Sequence, residues 1–298
     1  MRIHTLDLVF RNTPGLIAAY LVECGGGELA LVETGPASTN GTLLAAIRAR
    51  GFDPAHIGNV FVTHIHLDHA GAAGWWARQG ATVHCHPNAA RHLVDPSRLI
   101  ESARMIYGGA MDTLWGEIVP APADRVRILQ DGESVTIGGA TITAWDTPGH
   151  ARHHHAFVMD DVCFTGDVAG VWLEGSAYIS VAAAPPQFDP AEYVRSVDRL
   201  LAANFSQLCL THFGIVASPA DHLLRCRERI QAVSALAKAS HDAGESDEAF
   251  RLSFRGHEHR IATESGASSR VWAAYELANS TGMCADGLRL YWKKRASV

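Results

Sequence analysis

Apolar residues along this chain alternate between a two-residue and a 3.6-residue period, and the switches outline its elements. Strand-like runs at 3–10, 16–23 and 29–33 predict three opening antiparallel strands, turned by Gly25-Gly26-Gly27. From 39 to 50 the pattern becomes helical: Leu43, Leu44 and Ile47 share one face, and Gly51 ends it. The apolar run 57–62 predicts a strand, 70–79 a helix and 82–85 another strand. Further short strands are expected at 140–145, 162–165 and 208–210. Asp189-Pro190-Ala191-Glu192 is a helix start, with Asp as cap, Pro in the first position and Glu reaching back. Strands interleaved with helices indicate a layered α/β architecture.

Two regions lie outside that core. In 96–117, Ile100, Ala103, Tyr107, Ala110, Met111 and Leu114 recur at helical spacing, interrupted by Gly108-Gly109. This helical insertion has two readings: a lid carrying Tyr107 or Trp115 to a substrate, or an amphipathic helix packed on the core or at a subunit interface. The second region, 216–298, is a helical C-terminal extension. It opens on Ser218-Pro219-Ala220-Asp221, and Leu223, Ile230, Val233 and Ala237 mark one face. Residues 1–215 then form the main domain.

Composition narrows the possible roles. With 298 residues, 47% of them hydrophobic, the chain can bury a large core. A net charge of −6 without a basic stripe makes nucleic acid an unexpected partner and favours a small-molecule substrate. The start of the chain lacks the apolar core of a signal peptide, and no run is long enough to cross a bilayer, so a cytoplasmic location without membrane attachment is expected. The six cysteines are scattered without metal-type pairing; Cys163 and Cys209, within strand runs, read as small buried hydrophobes.

The chemistry concentrates in Thr63-His64-Ile65-His66-Leu67-Asp68-His69, directly after an apolar strand. His64 and His66 are two apart, so on an extended backbone they point the same way and can grip one cation. Asp68 and His69 turn back as a helix begins and can reach a second. Three other strand ends deliver one ligand-type residue each: His150 after Thr147-Pro148-Gly149, Asp167 after Thr165-Gly166, and His212 after Thr211. Sites in open α/β sheets form at this edge. Imidazole nitrogen and carboxylate oxygen suit zinc, with manganese and iron as alternatives. His257-Glu258-His259, without further ligands, reads as incidental, and Lys293-Lys294-Arg295 as a solvated end.

The ordered set His-x-His-x-Asp-His, Thr-Pro-Gly-His, Thr-Gly-Asp and Thr-His resembles the metallo-β-lactamase-fold hydrolases, over roughly residues 1–215. The resemblance implies a four-layer αββα sandwich. It also implies two divalent metal ions: His64, His66 and His150 hold the first, and Asp68, His69 and His212 the second. Asp167 bridges them, and Asp68 and Asp167 are the acidic residues of the catalytic centre. Metals roughly 3.5–4 Å apart would share a hydroxide that attacks the substrate. Where the family commonly has Asp before Thr-Gly, this chain has Glu33, either accepting the second N–H of a ligand imidazole or serving only as a turn residue. His153, His154 and His155 are expected to start the next strand, with alternate side chains near the metals and His154 as a further candidate.

Within that superfamily, Thr-Pro-Gly-His-Ala-x-His-His and Phe-Thr-Gly-Asp-Val-Ala-Gly-Val look most like members related to lactonases and thioesterases. The expected reaction is hydrolysis of an ester-like bond, most simply a lactone. A glyoxalase-II-like thioesterase, a phosphoesterase and an iron-dependent persulfide dioxygenase are the alternatives. A glutathione thioester would call for basic residues near the site, and none stands there convincingly. The missing export signal and the presence of Asp167 argue against a true β-lactamase. His66 argues against the diiron reductase branch, and the complete ligand set against a non-catalytic scaffold. A homodimer is compatible with the sequence.

Overall fold

The computed structural model describes residues 1–296; Ser297 and Val298, the end of the expected extension, lie outside the described residues. The strands make two six-stranded sheets. The first holds β1 (Arg2–Asp7), β2 (Ala18–Gly25), β3 (Glu28–Val32), β4 (Ile57–Phe61), β5 (Thr82–Cys85) and β6 (Val126–Ile128) in chain order. Its first three strands are antiparallel, whereas β3 to β6 run parallel. The second holds β7 (Ser134–Ile137), β8 (Ala140–Asp146), β9 (His155–Met159), β10 (Val162–Gly166), β11 (Gln207–Leu210) and β12 (Gly214–Val216). Eleven helices complete the fold: α1 (Asn40–Ala49), α2 (Leu67–Ala70), α3 (Ala73–Arg78), α4 (Pro87–Val94), α5 (Ser97–Tyr107), α6 (Met111–Trp115), α7 (Pro190–Ala203), α8 (Pro219–Asp242), α9 (Asp247–Glu264), α10 (Ser269–Ala278) and α11 (Thr281–Ala296), all counted among the described residues.

The chain divides into two compact units. One comprises Met1–Asp146 and His153–Gly166; the other takes Thr147–Arg152 and resumes at Asp167. Within the first, the sheets pack through aromatic contacts: Phe61 meets Phe157 edge-on at 5.2 Å, and Tyr20 meets Phe164 at 5.6 Å. Ala30, Leu31, Val32, Val60 and Phe61 are fully buried, the unbroken apolar signature of strands covered on both faces. Leu43 and Ile47 of α1 and Trp76 of α3 are buried as well. This is the α/β sandwich the sequence implies.

Local chemistry moves several expected boundaries. β1 stops at Asp7 rather than running to Phe10, because the Asp7 carboxylate accepts Val9 N–H and Gly15 N–H, both at 2.9 Å, and closes a turn. The expected 70–79 helix is broken into α2 and α3. His69 C=O, which a continuous helix would use internally, instead accepts Thr34 N–H at 2.9 Å and Gly35 N–H at 3.0 Å. That diversion ties the end of β3 to the histidine motif. The 96–117 segment forms α5, a short 3-10 turn at Gly108–Ala110, and α6. Ala103, Met111 and Trp115 are buried, and Trp115 stacks on Phe10 at 5.4 Å, while Met105 and Ile106 stand exposed.

The second unit is led by the turn 147–152. Gly149 C=O accepts Asp189 N–H at 2.8 Å, Pro148 C=O accepts the Ser196 hydroxyl at 2.6 Å, and Gln187 holds Arg152 N–H at 2.9 Å. Gly149, at φ 131°, passes so close to α7 that a Cβ would lie 2.2 Å from Tyr193 Cα. The Pro-Gly-His turn therefore needs glycine for a steric reason. Helices α8 to α11 form the extension. Its buried polar centre is Glu258, which accepts the Tyr178 hydroxyl at 2.6 Å and receives Arg229 Nη2 at 2.6 Å on both oxygens. Tyr178 spends its hydroxyl there. The six cysteines are free and buried, and burial pushes the Cys85 and Cys209 thiols up to about 12. No described helix is long and apolar enough to cross a membrane.

Candidate metal centre

β4 ends in a segment that β-strand geometry still controls. His64 and His66 are two apart on extended backbone, and His64 Nε2 lies 2.9 Å from His66 Nδ1. The chain then enters α2, which brings Asp68 Oδ1 to 3.9 Å from His69 Nε2. His64 and His69 are fully buried. Removing such imidazoles from water needs compensation, and it is supplied on their far sides. His69 Nδ1–H donates to Glu33 Oε1 at 2.9 Å, and His64 Nδ1 lies 3.0 Å from the Thr63 hydroxyl. Glu33 thus accepts from a candidate ligand imidazole; the simple-turn alternative does not describe it. Its backbone is left-handed at φ 65°, an uncommon state for a residue other than glycine.

In the second unit, His150 Nδ1–H donates to Ala182 C=O at 2.8 Å, which leaves Nε2 as its inward donor. His150 Nε2 stands 3.3 Å from Asp167 Oδ2, and His212 Nε2 stands 3.6 Å from Asp167 Oδ1. Donors about 2.0–2.2 Å from one tetrahedral cation stand roughly 3.3–3.6 Å apart, so these spacings fit a shared ion. The Tyr193 hydroxyl donates to the backbone carbonyl of Asp167 and holds the acid from behind. Burial keeps that phenol well above its ordinary pKa, and therefore protonated. Tyr193 carried no motif; only its helical register on α7 could have pointed to it.

The first unit thus carries His64, His66, Asp68 and His69 on one stretch of chain, and the second gathers His150 and His212 beside Asp167. These take in all seven residues singled out in the sequence. All are buried except His66 and Asp68, which are partly exposed. The donors are five imidazoles and two carboxylates, a set that fits borderline divalent cations. His154 ends beside this cluster, its ring 5.0 Å from that of His64, and His153 lies 5.5 Å from His66. Gly166, at φ 52°, leaves no room for a Cβ, which would lie 2.6 Å from both His154 Nε2 and Thr63 Oγ1. The Thr-Gly-Asp glycine is thus a packing requirement of the site.

A separate group, His86, Asp146 and His155, lies in the first unit with its donor atoms within 4.8 Å of one another, and was not singled out in the sequence. Asp146 and His155 face each other across β8 and β9, and His86 Nε2 lies 3.1 Å from Asp146 Oδ1. His86 Nδ1 accepts the Asn88 N–H at 2.9 Å as the cap of α4, so the neutral ring carries its proton on Nε2. That proton occupies the atom a cation would need, and the trio is a hydrogen-bonded dyad packed against a third ring. Among the described residues, His257 and His259 belong to no such group.

Residues 12–212 match the family model of the metallo-beta-lactamase superfamily, and the chain belongs to that superfamily, whose members are generally hydrolases. A metallo-beta-lactamase fold-containing protein of the archaeon Sulfurisphaera tokodaii is 28% identical over 162 residues, covering 53% of this chain and 61% of that protein. The chain thus spans about three-fifths of that relative's length. A solved metallo-beta-lactamase family protein from Thermus thermophilus superposes with a TM-score of 0.69 at 20% identity, covering 99% of this chain and 94% of that one; at that identity the likeness speaks for the fold alone. The N-acyl homoserine lactonase AttM of Agrobacterium fabrum is 32% identical over 123 residues, covering 38% of this chain and 40% of that protein.

Proposed function

We propose that this chain is a metal-dependent hydrolase of ester-like carbonyl bonds, with a lactone as the best-supported substrate. The observation that carries the reading is a pair of ligand sets, His64, His66, Asp68 and His69 in the first unit and His150, Asp167 and His212 in the second, which supply five imidazoles and two carboxylates. His64, His66 and His150 would hold one ion and Asp68, His69 and His212 the other, with Asp167 as a ligand common to both. When bound, a pair of divalent cations, zinc in first place, supplies Lewis acidity toward a carbonyl oxygen and a water acidified to near neutrality. Asp68 and Asp167 offset part of the cationic charge, so the filled centre keeps a net attraction for a developing oxyanion.

The chain's other residues bind and orient. Tyr107 closes α5 and packs edge-on against Trp115 at 5.1 Å. Burial, reinforced by the Asp68 carboxylate, pushes its phenol up to about 12, so it remains a neutral hydrogen-bond donor at physiological pH. In this reading it donates to the substrate. The similarity to a lactonase over 123 residues supports the lactone over other esters.

The test is proton release from an acyl-homoserine lactone, followed by pH-stat, with metal-loaded and chelator-treated protein. Rapid acid production that vanishes on chelation supports metal-dependent lactone hydrolysis. Its absence from fully metallated protein removes the lactone and brings thioesters forward, then phosphoesters and persulfides.

A further inference from the structure

Residues 178–183 run buried without helix or strand, apart from one bridge between Val171 and Ser180, so their backbone carbonyls need partners within the fold. Most of those partners come from the helical extension. Tyr178 C=O accepts the Tyr275 hydroxyl at 2.7 Å, and Ile179 C=O accepts Arg229 Nε–H at 3.4 Å. Ser180 C=O takes Val171 N–H at 2.9 Å. Val181 C=O accepts Asn279 Nδ2–H at 3.0 Å. Helix α11 approaches so closely that a Cβ on Gly287 would lie 1.8 Å from the Ala183 carbonyl oxygen. Ala182 C=O is the exception, because it accepts His150 Nδ1–H at 2.8 Å. A carbonyl only accepts, so this contact selects the His150 tautomer.

Asn279 ties that carbonyl down. It stands buried in the break between α10 and α11. Val181 C=O can only accept, so the amide nitrogen of Asn279 must be the atom that faces it. The same Nδ2 donates to Ser180 Oγ at 2.9 Å, and Oδ1 lies 3.1 Å from the Cys284 thiol. The donors and the acceptor of one side chain are thus all engaged. Its donors fall on the two residues directly before Ala182, and burial makes each bond costly to leave unmade.

We propose that Asn279 is a positioning residue of the candidate metal centre: by fixing Val181 it aims the Ala182 carbonyl, and so holds His150 in the Nδ1–H form with Nε2 presented to a cation. This rests on the metal-centre reading above. It gives the C-terminal extension a share in the site, through a residue that no ligand motif marks.

Long-range 1H–15N spectra of the chelated full chain read the tautomer with no metal present. His150 is expected as Nδ1–H in the unaltered protein and as a mixture of both tautomers in Asn279→Ala. His222, whose Nε2–H donates to Ala169 C=O at 2.9 Å, is the internal control and should keep that form in both. Thr281→Val removes a hydroxyl bonded to Glu276 at the same helix junction and should leave His150 unmoved. Competition with a chromophoric chelator is the second readout. Zinc should bind about 10–100-fold more weakly to Asn279→Ala, and as tightly as before to Thr281→Val. Asn279→Asp, similar in size but without the donor, makes the same test where Asn279→Ala does not fold. His150 found as Nε2–H in the unaltered protein, or unmoved in both Asn279 variants, overturns the proposal. So does a shift that His222 shares, which marks general loosening, or one that leaves zinc affinity unchanged. The expected tautomers in an unaltered chain that binds no zinc would sink the metal-centre reading instead, and with it this role for Asn279.

Discussion

Two of the chain's four histidine–any residue–histidine triplets, 64–66 and 257–259, differ in the backbone that carries them, and only the first stands among candidate metal ligands. His64 and His66 leave a β-strand on extended backbone, where side chains two apart share a side, and their nitrogens stand 2.9 Å apart. His257 and His259 lie within α9, where residues two apart diverge by about 200° around the axis. His259 packs its ring 5.0 Å from that of Trp272. Glu258, between them, turns inward to Arg229 and Tyr178. Backbone conformation, more than residue type, makes a chelating pair.

The difference can be broken from either side. The largest effect is expected at the strand-borne centre: Asp167→Asn should lower metal content and hydrolysis together, the latter by roughly 10³–10⁴-fold. Metal analysis with steady-state kinetics measures both, and full activity would refute the bridging role. On the helical side, Glu258→Ala leaves Arg229 buried without its ion-pair partner, at a cost of about 3–5 kcal/mol in stability. Denaturant unfolding should register that loss while zinc uptake by the folded fraction is unchanged.

A pH effect of somewhat smaller size comes from His84, which stacks on Phe61 at 4.4 Å. Burial, with Arg127 adding to it, holds His84 at about 4 against an ordinary value of 6.5. Between those two values the unfolded chain binds more protons than the folded one, so stability rises with pH. The contribution is complete above about 6.5, is lost as pH falls toward 4, and amounts to roughly 3 kcal/mol. His84→Gln should flatten unfolding free energy against pH across that window, and an unchanged slope would remove His84 as its source. Tyr107→Phe should reduce kcat/KM about fivefold by deleting one donor, with zinc affinity unaltered. The smallest change belongs to His257→Ala with His259→Ala: metal content should hold, and stability should move within about 0.5 kcal/mol.

The α/β layering, most of its strands and the seven candidate donors at strand ends were legible in the chain, because period and turn chemistry are local properties. The break between α2 and α3 was not, since it depends on Thr34 and Gly35 competing for the His69 carbonyl across 35 residues of sequence. Tyr193 and Ala182 escaped notice because a hydroxyl or carbonyl that steadies Asp167 or His150 has no spacing rule.

What the sequence determined by itself was the superfamily, the α/β layering and a set of candidate metal ligands, all carried by residue types at short fixed spacings. What only the tertiary structure decided was which atoms of those groups face inward. Glu33 was undecided between a turn and a hydrogen-bond acceptor until its carboxylate was placed 2.6 Å from the Thr63 hydroxyl and 2.9 Å from His69 Nδ1. Ring tautomers depend on partners far away in sequence, and only folding brings those partners within hydrogen-bond distance.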